Sequence, residues 1–174
     1  MRNAPLSGPT TSLLIKRKAR LHYFKAKSDY VDKPLTKQAI GGALDILQKN
    51  TQGWMILEPY GGVMNEISSS AIAFPHRGRN LMGIQYQAVW PNEDGSPDQA
   101  LIAWLDGLYT YMAPYVSYFP SRAAYVNYID LQLGDGVAAG KHYFGPNFAK
   151  LVQIKGRIDP TNIFNEPQSI PTSL

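Results

Sequence analysis

The clearest pattern in the chain is IQYQAVW, where Ile84, Tyr86 and Ala88 alternate with Gln85, Gln87 and Val89. Successive side chains point to opposite faces of a strand, so this run predicts a strand with one apolar and one polar face. HYFKAKSDYV, from His22, alternates more loosely and reads as another strand. WMILEPY is an apolar strand closed by a Pro-Tyr-Gly-Gly turn, and VMNEI after it reads as a short paired strand. Helical spacing takes over elsewhere. After Pro34, LTKQAIGGALDILQ places Leu35, Ile40, Ala43, Leu44 and Leu47 in register. Gly41 and Gly42 weaken that helix by about 1 kcal/mol each relative to alanine. In DQALIAWLDGLYTYMAPY, the residues Leu101, Trp104, Leu105, Leu108 and Met112 share one stripe, Asp98 is positioned as N-cap and Pro114 ends the helix. NFAKLVQIKGRI is a further helix with Phe148, Leu151, Val152 and Lys155 in register. Asp159-Pro160 predicts a last helical turn with Asp as N-cap and Pro at N1.

Between these lie SSSAIAFPHRGRN, PNEDGSPDQ and DGVAAGKH, read as loops, and YVNYIDLQLG (125–134), read as a strand-like apolar run. Residues 1–12 are rich in Pro, Ser, Thr and Gly and are expected to be disordered. Strands joined by hairpins, with helices to cover one side, predict an α+β fold: an antiparallel sheet backed by helices. Gln85 and Gln87 then lie on the open face, toward water or toward a ligand.

Composition narrows the chemistry. The chain has 174 residues, 44% hydrophobic and 17% charged, the profile of one compact domain or of a piece of a larger one. The formal charge is +4, much of it in Lys16-Arg17-Lys18-Ala19-Arg20. One short basic run reads as a solvated surface segment and not as a nucleic-acid footprint. The absence of cysteine excludes a disulfide framework, a thiolate metal site and a catalytic thiol. His22, His76 and His142 lack zinc-ligand spacing, so no metal is expected. The start, MRNAPLSGPTTSLLI, has no signal-peptide core, and no apolar run approaches the ~20 residues of a membrane span, so the chain reads as soluble and untargeted.

Eight stretches together resemble one family: YFKAKSDYV (23–31), ILEPYGGVMNEIS (56–68), AIAFPHRGRN (71–80), IQYQAVW (84–90), YMAPYVS (111–117), YVNYIDLQLG (125–134), YFGPNFAKL (143–151) and DPTNIFNEPQSIP (159–171). They are similar to the C-terminal part of the plant berberine bridge enzyme-like, FAD-linked oxidases. The resemblance implies that residues 13–118 are part of a substrate domain and that 119–174 return to complete an FAD domain. It also implies that the histidine and cysteine that attach the flavin belong to a domain missing from this truncated chain. The implied partners are FAD and a small-molecule substrate, an alcohol, phenolic metabolite or carbohydrate. Family members are usually secreted.

In such enzymes the flavin takes a hydride while a protein base removes a proton from a substrate hydroxyl. The resemblance assigns the base to Tyr128, the second tyrosine of YVNYIDLQLG. A free tyrosine has a pKa near ~10, and bringing it down by about 3 units takes roughly 4 kcal/mol. Many family members carry a lysine for this purpose two residues before a glutamine. Here the glutamine is Gln85 and the lysine position holds Gly83. Gln85 and Glu58 are the implied substrate contacts. Asn127 reads either as a turn stabiliser or as a flavin contact. Tyr125 is expected to pack, Asp130 to accept backbone or arginine hydrogen bonds, and His76 and Arg77 to fix their loop. The alternative to an oxidoreductase is a non-catalytic remnant that binds no flavin alone.

Overall fold

The computed structural model describes residues 22–91, 96–118 and 121–174. The expected disordered tail and the basic run lie outside these residues. In chain order the elements are β1 (His22–Val31), α1 (Lys37–Leu47), β2 (Gly53–Pro59), α2 (Val63–Glu66), β3 (Met82–Pro91), α3 (Gln99–Met112), α4 (Gly136–Phe144) and α5 (Phe148–Ile158). The strands form one antiparallel sheet in the order β1-β3-β2, so the cleanly alternating IQYQAVW run is the central strand.

Residues directly opposite in an antiparallel pair share a face. Tyr86 lies opposite Lys27 and Met55, and Ile84 opposite Asp29 and Leu57. These positions face α1 and α3. Ile84, Tyr86, Ala88 and Trp90 pack there against Ala43, Leu101, Leu105, Leu108 and Met112 in the principal core. Gln85 lies opposite Ser28 and Ile56 on the other face. The α+β reading, the one-sided helical cover and the placement of Gln85 and Gln87 on the open face all agree with this structure.

The two helices that cover the sheet begin where their polar caps dictate. The Thr36 side chain accepts from the Ala39 amide, and Asp98 accepts from the Leu101 amide. The glycine pair in α1 has a tertiary reason at Gly42. A Cβ there would sit 2.1 Å from the Tyr111 hydroxyl oxygen, which donates to the Gln38 carbonyl at 2.8 Å. Trp104 ties the same two helices through Nε1 to the Ile46 carbonyl at 2.9 Å. A smaller core of Ala124, Ala139 and Tyr143 lies under α4.

Four local expectations fail. VMNEI forms the single helical turn α2, not a strand. Its backbone follows Gly61 and Gly62, both at positive φ, which turn the chain away from the sheet edge. DGVAAGKH is the body of α4, not a loop: Asp135 caps it by accepting from the Val137 and Ala138 amides, and its two glycines serve contact. A Cβ on Gly140 would lie 2.1 Å from the Phe148 ring, and one on Gly136 would lie 1.9 Å from the Ser169 carbonyl oxygen. YVNYIDLQLG is not a strand: it makes a turn and one 3-10 turn over Leu131–Leu133, and its polar side chains take up partners elsewhere. Asp159-Pro160 starts a turn and no helix, because the Asp159 carboxylate is occupied by the Ile163 and Phe164 amides and by Lys155. At Pro114, α3 passes into a 3-10 turn over Ala113–Tyr115 before it ends.

Candidate active site

The segment after α3 closes over the edge strand β1 and makes bonds to both of its faces. On the helix-covered face, Arg122 Nε and Nη2 donate to the Asp29 carboxylate at 2.6 Å each, and Tyr86 Oη donates to it at 2.8 Å. The Arg122 guanidinium lies 3.3 Å from the Tyr109 ring centroid. Further along β1, Lys25 and Lys27 donate to the two oxygens of Asp130 at 2.6 and 2.8 Å. Lys27 also meets Asp106 of α3 and the Gln132 side chain. On the open face, Ser28 Oγ accepts from the Tyr125 amide at 2.8 Å.

The joint is built from buried charge, and its members hold one another in place. Asp29 is 1% exposed, Asp130 2% and Lys27 4%. Burial pushes the Asp29 carboxyl up to about 6, with Arg122, Tyr86 and Lys27 pulling it back. For Asp130 burial acts upward too, but the hydrogen bonds from Lys25 and Lys27 prevail and hold it below the usual carboxylate range. Asp130 accepts the expected backbone bond, from the Gln132 amide at 3.1 Å, and takes two lysines where an arginine was the expected cation.

This clamp delivers Tyr128 to the open face. Its hydroxyl donates to Glu58 Oε1 at 3.2 Å. Glu58 stands on β2 directly opposite Gly83. A Cβ on Gly83 would be 3.7 Å from Glu58 Oε2 and 3.6 Å from Tyr30, which is ordinary contact, so the backbone leaves room for a side chain beside the pair. Burial and then the Glu58 charge push the Tyr128 phenol above its ordinary value. That is the opposite direction from the one a phenolate base needs.

The other predicted site residues separate. Gln85 shares the open face and is two residues from Gly83, yet its amide donates to Gln87 Oε1 at 2.9 Å and not to Tyr128. Asn127 is exposed and donates to Tyr125 Oη at 2.7 Å, so it braces the turn. Tyr125 packs edge-on against Tyr128 and Phe74, with centroids at 5.0 and 5.9 Å. His76 is buried, stacks on Tyr30 at 4.1 Å and bonds through Nε2 to the Tyr143 carbonyl at 2.9 Å. Burial lowers its imidazole to about 4. The open face beyond is partly apolar, with Phe24, Trp54 and Ile56 exposed. Among the described residues no group of three or more His, Cys, Asp or Glu side chains is placed to hold a metal, and no helix is long and apolar enough to cross a membrane.

Sequence reasoning did not find Asp29, Arg122 or the two lysines. Their partners are 93 to 105 positions away along the chain. One signal was present: three charged residues, Lys25, Lys27 and Asp29, at alternate positions of an otherwise core-facing strand register.

Residues 124–171 match the family described as berberine and berberine-like. The chain is 42% identical over 177 residues to berberine bridge enzyme-like C-2 of Nicotiana tabacum, covering 87% of this chain and 31% of that protein. It is 41% identical over 177 residues to the monolignol oxidoreductase AtBBE-like 13 of Arabidopsis thaliana, covering 98% and 33%. The structure of BBE-like 28 from Arabidopsis thaliana superposes with a TM-score of 0.84 at 36% identity, over 97% of this chain and 37% of that one. The chain thus spans about a third of the length of the relatives it matches.

Proposed function

Because the chain belongs to the berberine bridge enzyme-like family and spans about a third of a member's length, we propose that it supplies the substrate-facing wall and the proton-handling residues of an FAD-linked oxidoreductase. The observation that carries this reading is the Tyr128–Glu58 hydrogen bond on the open sheet face, beside exposed Ile56. The substrate class is an alcohol, a phenolic metabolite or a carbohydrate. The name of the monolignol oxidoreductase among its relatives favours an aromatic alcohol.

The residues present fit one wall of a flavin and substrate cleft. Trp54 and Ile56 offer an apolar surface, and Gln85 and Gln87 offer amides on the same face. Asn127 would hold the flavin and Gln85 and Glu58 the substrate. A cysteine for covalent attachment is not among these 174 residues. Bound FAD would supply the hydride acceptor.

The chain's own part is proton movement. Tyr128 is a neutral phenol whose proton already lies on a bond to Glu58. A substrate hydroxyl that gives its proton to the Tyr128 oxygen displaces the phenol proton toward Glu58 Oε1. A carboxylate acceptor replaces the cation that would otherwise stabilise phenolate, which suits a site with Gly83 where a lysine would stand. Proton transfer by a positioned group is worth about 10²–10⁴ in rate.

The test is a chimera in which this chain replaces the matching third of the tobacco relative. Flavin-dependent oxidation of an aromatic alcohol, reduced about 10²-fold or more by Tyr128→Phe with flavin still bound, is the expected result. Unchanged turnover in Tyr128→Phe removes the tyrosine from the mechanism. The second reading, a chain that is non-catalytic by itself, is favoured by Gly83 and by the upward shift of Tyr128. Adding FAD to the isolated chain and recording its visible absorption after desalting decides it: a retained flavin spectrum would sink that reading.

A further inference from the structure

A cavity of about 430 Å³ is lined by Tyr125 but not by Tyr128. Its walls are largely aromatic, with Tyr60, Phe74, Tyr125, Tyr143 and Phe144, and its one cationic lining residue is Arg77. Among the described residues no acidic side chain lines it.

Arg77 is the anomaly. It is half-buried, and the Met64 thioether at 3.1 Å is the acceptor its side chain has found. Its Nε is buried with no hydrogen-bond partner, and its guanidinium carbon lies 5.3 Å from the Phe74 ring centroid. Among the described residues it forms no ion pair, neither with Asp32 nor with Glu66, which line the neighbouring cavity of about 700 Å³. The contrast with Arg122 is sharp, since that guanidinium has a bidentate carboxylate, a carbonyl and a ring face. A thioether is a weak acceptor, and a partly desolvated guanidinium is a fork built for a carboxylate. Aromatic walls with one such cation are the pattern of a pocket that takes a ring and reads one charged substituent on it.

We propose that this cavity binds a small planar aromatic carboxylate, with Arg77 pairing the carboxylate and the walls around Phe74 and Tyr125 taking the ring. The cavity shares Asn127 with the residues assigned to the flavin, but binding is read here without flavin, so a result at Arg77 says nothing for or against Tyr128.

The test is titration of the full 174-residue chain, ¹⁵N-labelled, with sodium benzoate at constant ionic strength. Saturable shifts are expected at the amides of Phe74, Tyr125 and Asn127. Benzamide, of the same shape but uncharged, is expected to bind about tenfold more weakly, and Arg77→Gln to lose about tenfold in benzoate affinity. Arg77→Lys should fall between, because it keeps the charge and loses the fork. Ile72→Glu changes an exposed wall residue and leaves the core intact, and it should repel benzoate with little effect on benzamide. Equal affinity for benzoate and benzamide overturns the proposal. So does undiminished binding by Arg77→Gln or Ile72→Glu, or no saturation by the wild-type chain up to about 10 mM.

Discussion

The Tyr128 hydroxyl donates to Glu58 across 3.2 Å, joining residues 70 positions apart on a returning loop and a sheet strand. The bond holds the tyrosine in place and holds it protonated. A partly buried phenol that donates to a carboxylate gives up that bond when it ionises and sets a second negative charge beside the first.

Glu58→Gln should therefore bring the Tyr128 phenol down toward its ordinary value, because after burial it is the Glu58 charge that pushes the phenol up. Resolved tyrosine ring signals followed through alkaline pH measure this. If Glu58→Gln leaves the titration of Tyr128 where it was, the pair does not communicate.

Gly83→Lys should be accommodated, because a Cβ there meets Tyr30, Glu58 and Tyr60 at ordinary contact distances. The new ammonium would sit by Glu58 and shift Tyr128 downward further than Glu58→Gln does, since a cation favours phenolate directly. A chain with unchanged thermal stability and an unmoved Tyr128 would contradict this placement.

Asp130→Asn removes the counter-charge shared by two lysines, leaving the 4% exposed Lys27 only the longer contact to Asp106. Removing one partner of a buried ion pair costs about 3–5 kcal/mol, and urea denaturation should show a loss of that order. Wild-type stability should also fall in acid through this group. Its folded value is depressed, so its contribution is present above the unfolded carboxylate range and is lost as pH drops through the folded value. Asp29 acts with the opposite sign. Its value is raised to about 6, so its contribution is present below 3.8 and is lost as pH rises through about 6.

His76 should remain neutral down to about pH 4, since burial depresses it from 6.5. Stability linked to it is present above pH 6.5 and is lost as the pH falls through about 4. Ring ¹⁵N shifts report its protonation directly, and a midpoint near 6.5 would mean that the Tyr30 stack leaves it open to water.

Gly140→Ala should destabilise the packing of α4 on α5 by about 1–3 kcal/mol, as overpacked core sites do. The added methyl would meet the Phe148 ring at 2.1 Å. A neutral Gly140→Ala, read by thermal melting, would show that Phe148 has space to turn.

The elements legible in the sequence were those whose pattern is its own explanation. IQYQAVW alternates because one side of it is core, and the α3 stripe repeats because one side of that helix is core. Thr36 and Asp98 mark helix starts through bonds made within three residues, so such caps are visible along the chain. DGVAAGKH failed for the reverse reason. Its glycines are poor helix residues by propensity, and α4 keeps them because Phe148 and the Ser169 backbone pass too close for any side chain.

The sequence by itself carried the family resemblance, the α+β architecture, the open face with Gln85 and Gln87, and the singling out of Tyr128 and Glu58. These depend on local period and on motif order, both of which are written along the chain. Only the tertiary structure decided that Tyr128 meets Glu58 while Gln85 turns to Gln87, that Asp130 binds lysines, and that Arg77 has a thioether where Arg122 has a carboxylate. The physical reason is common to all of them. A charged or hydroxyl side chain on a strand or loop takes whichever partner the fold brings within about 3 Å, and that partner is chosen by strand register and chain return, not by neighbours in sequence.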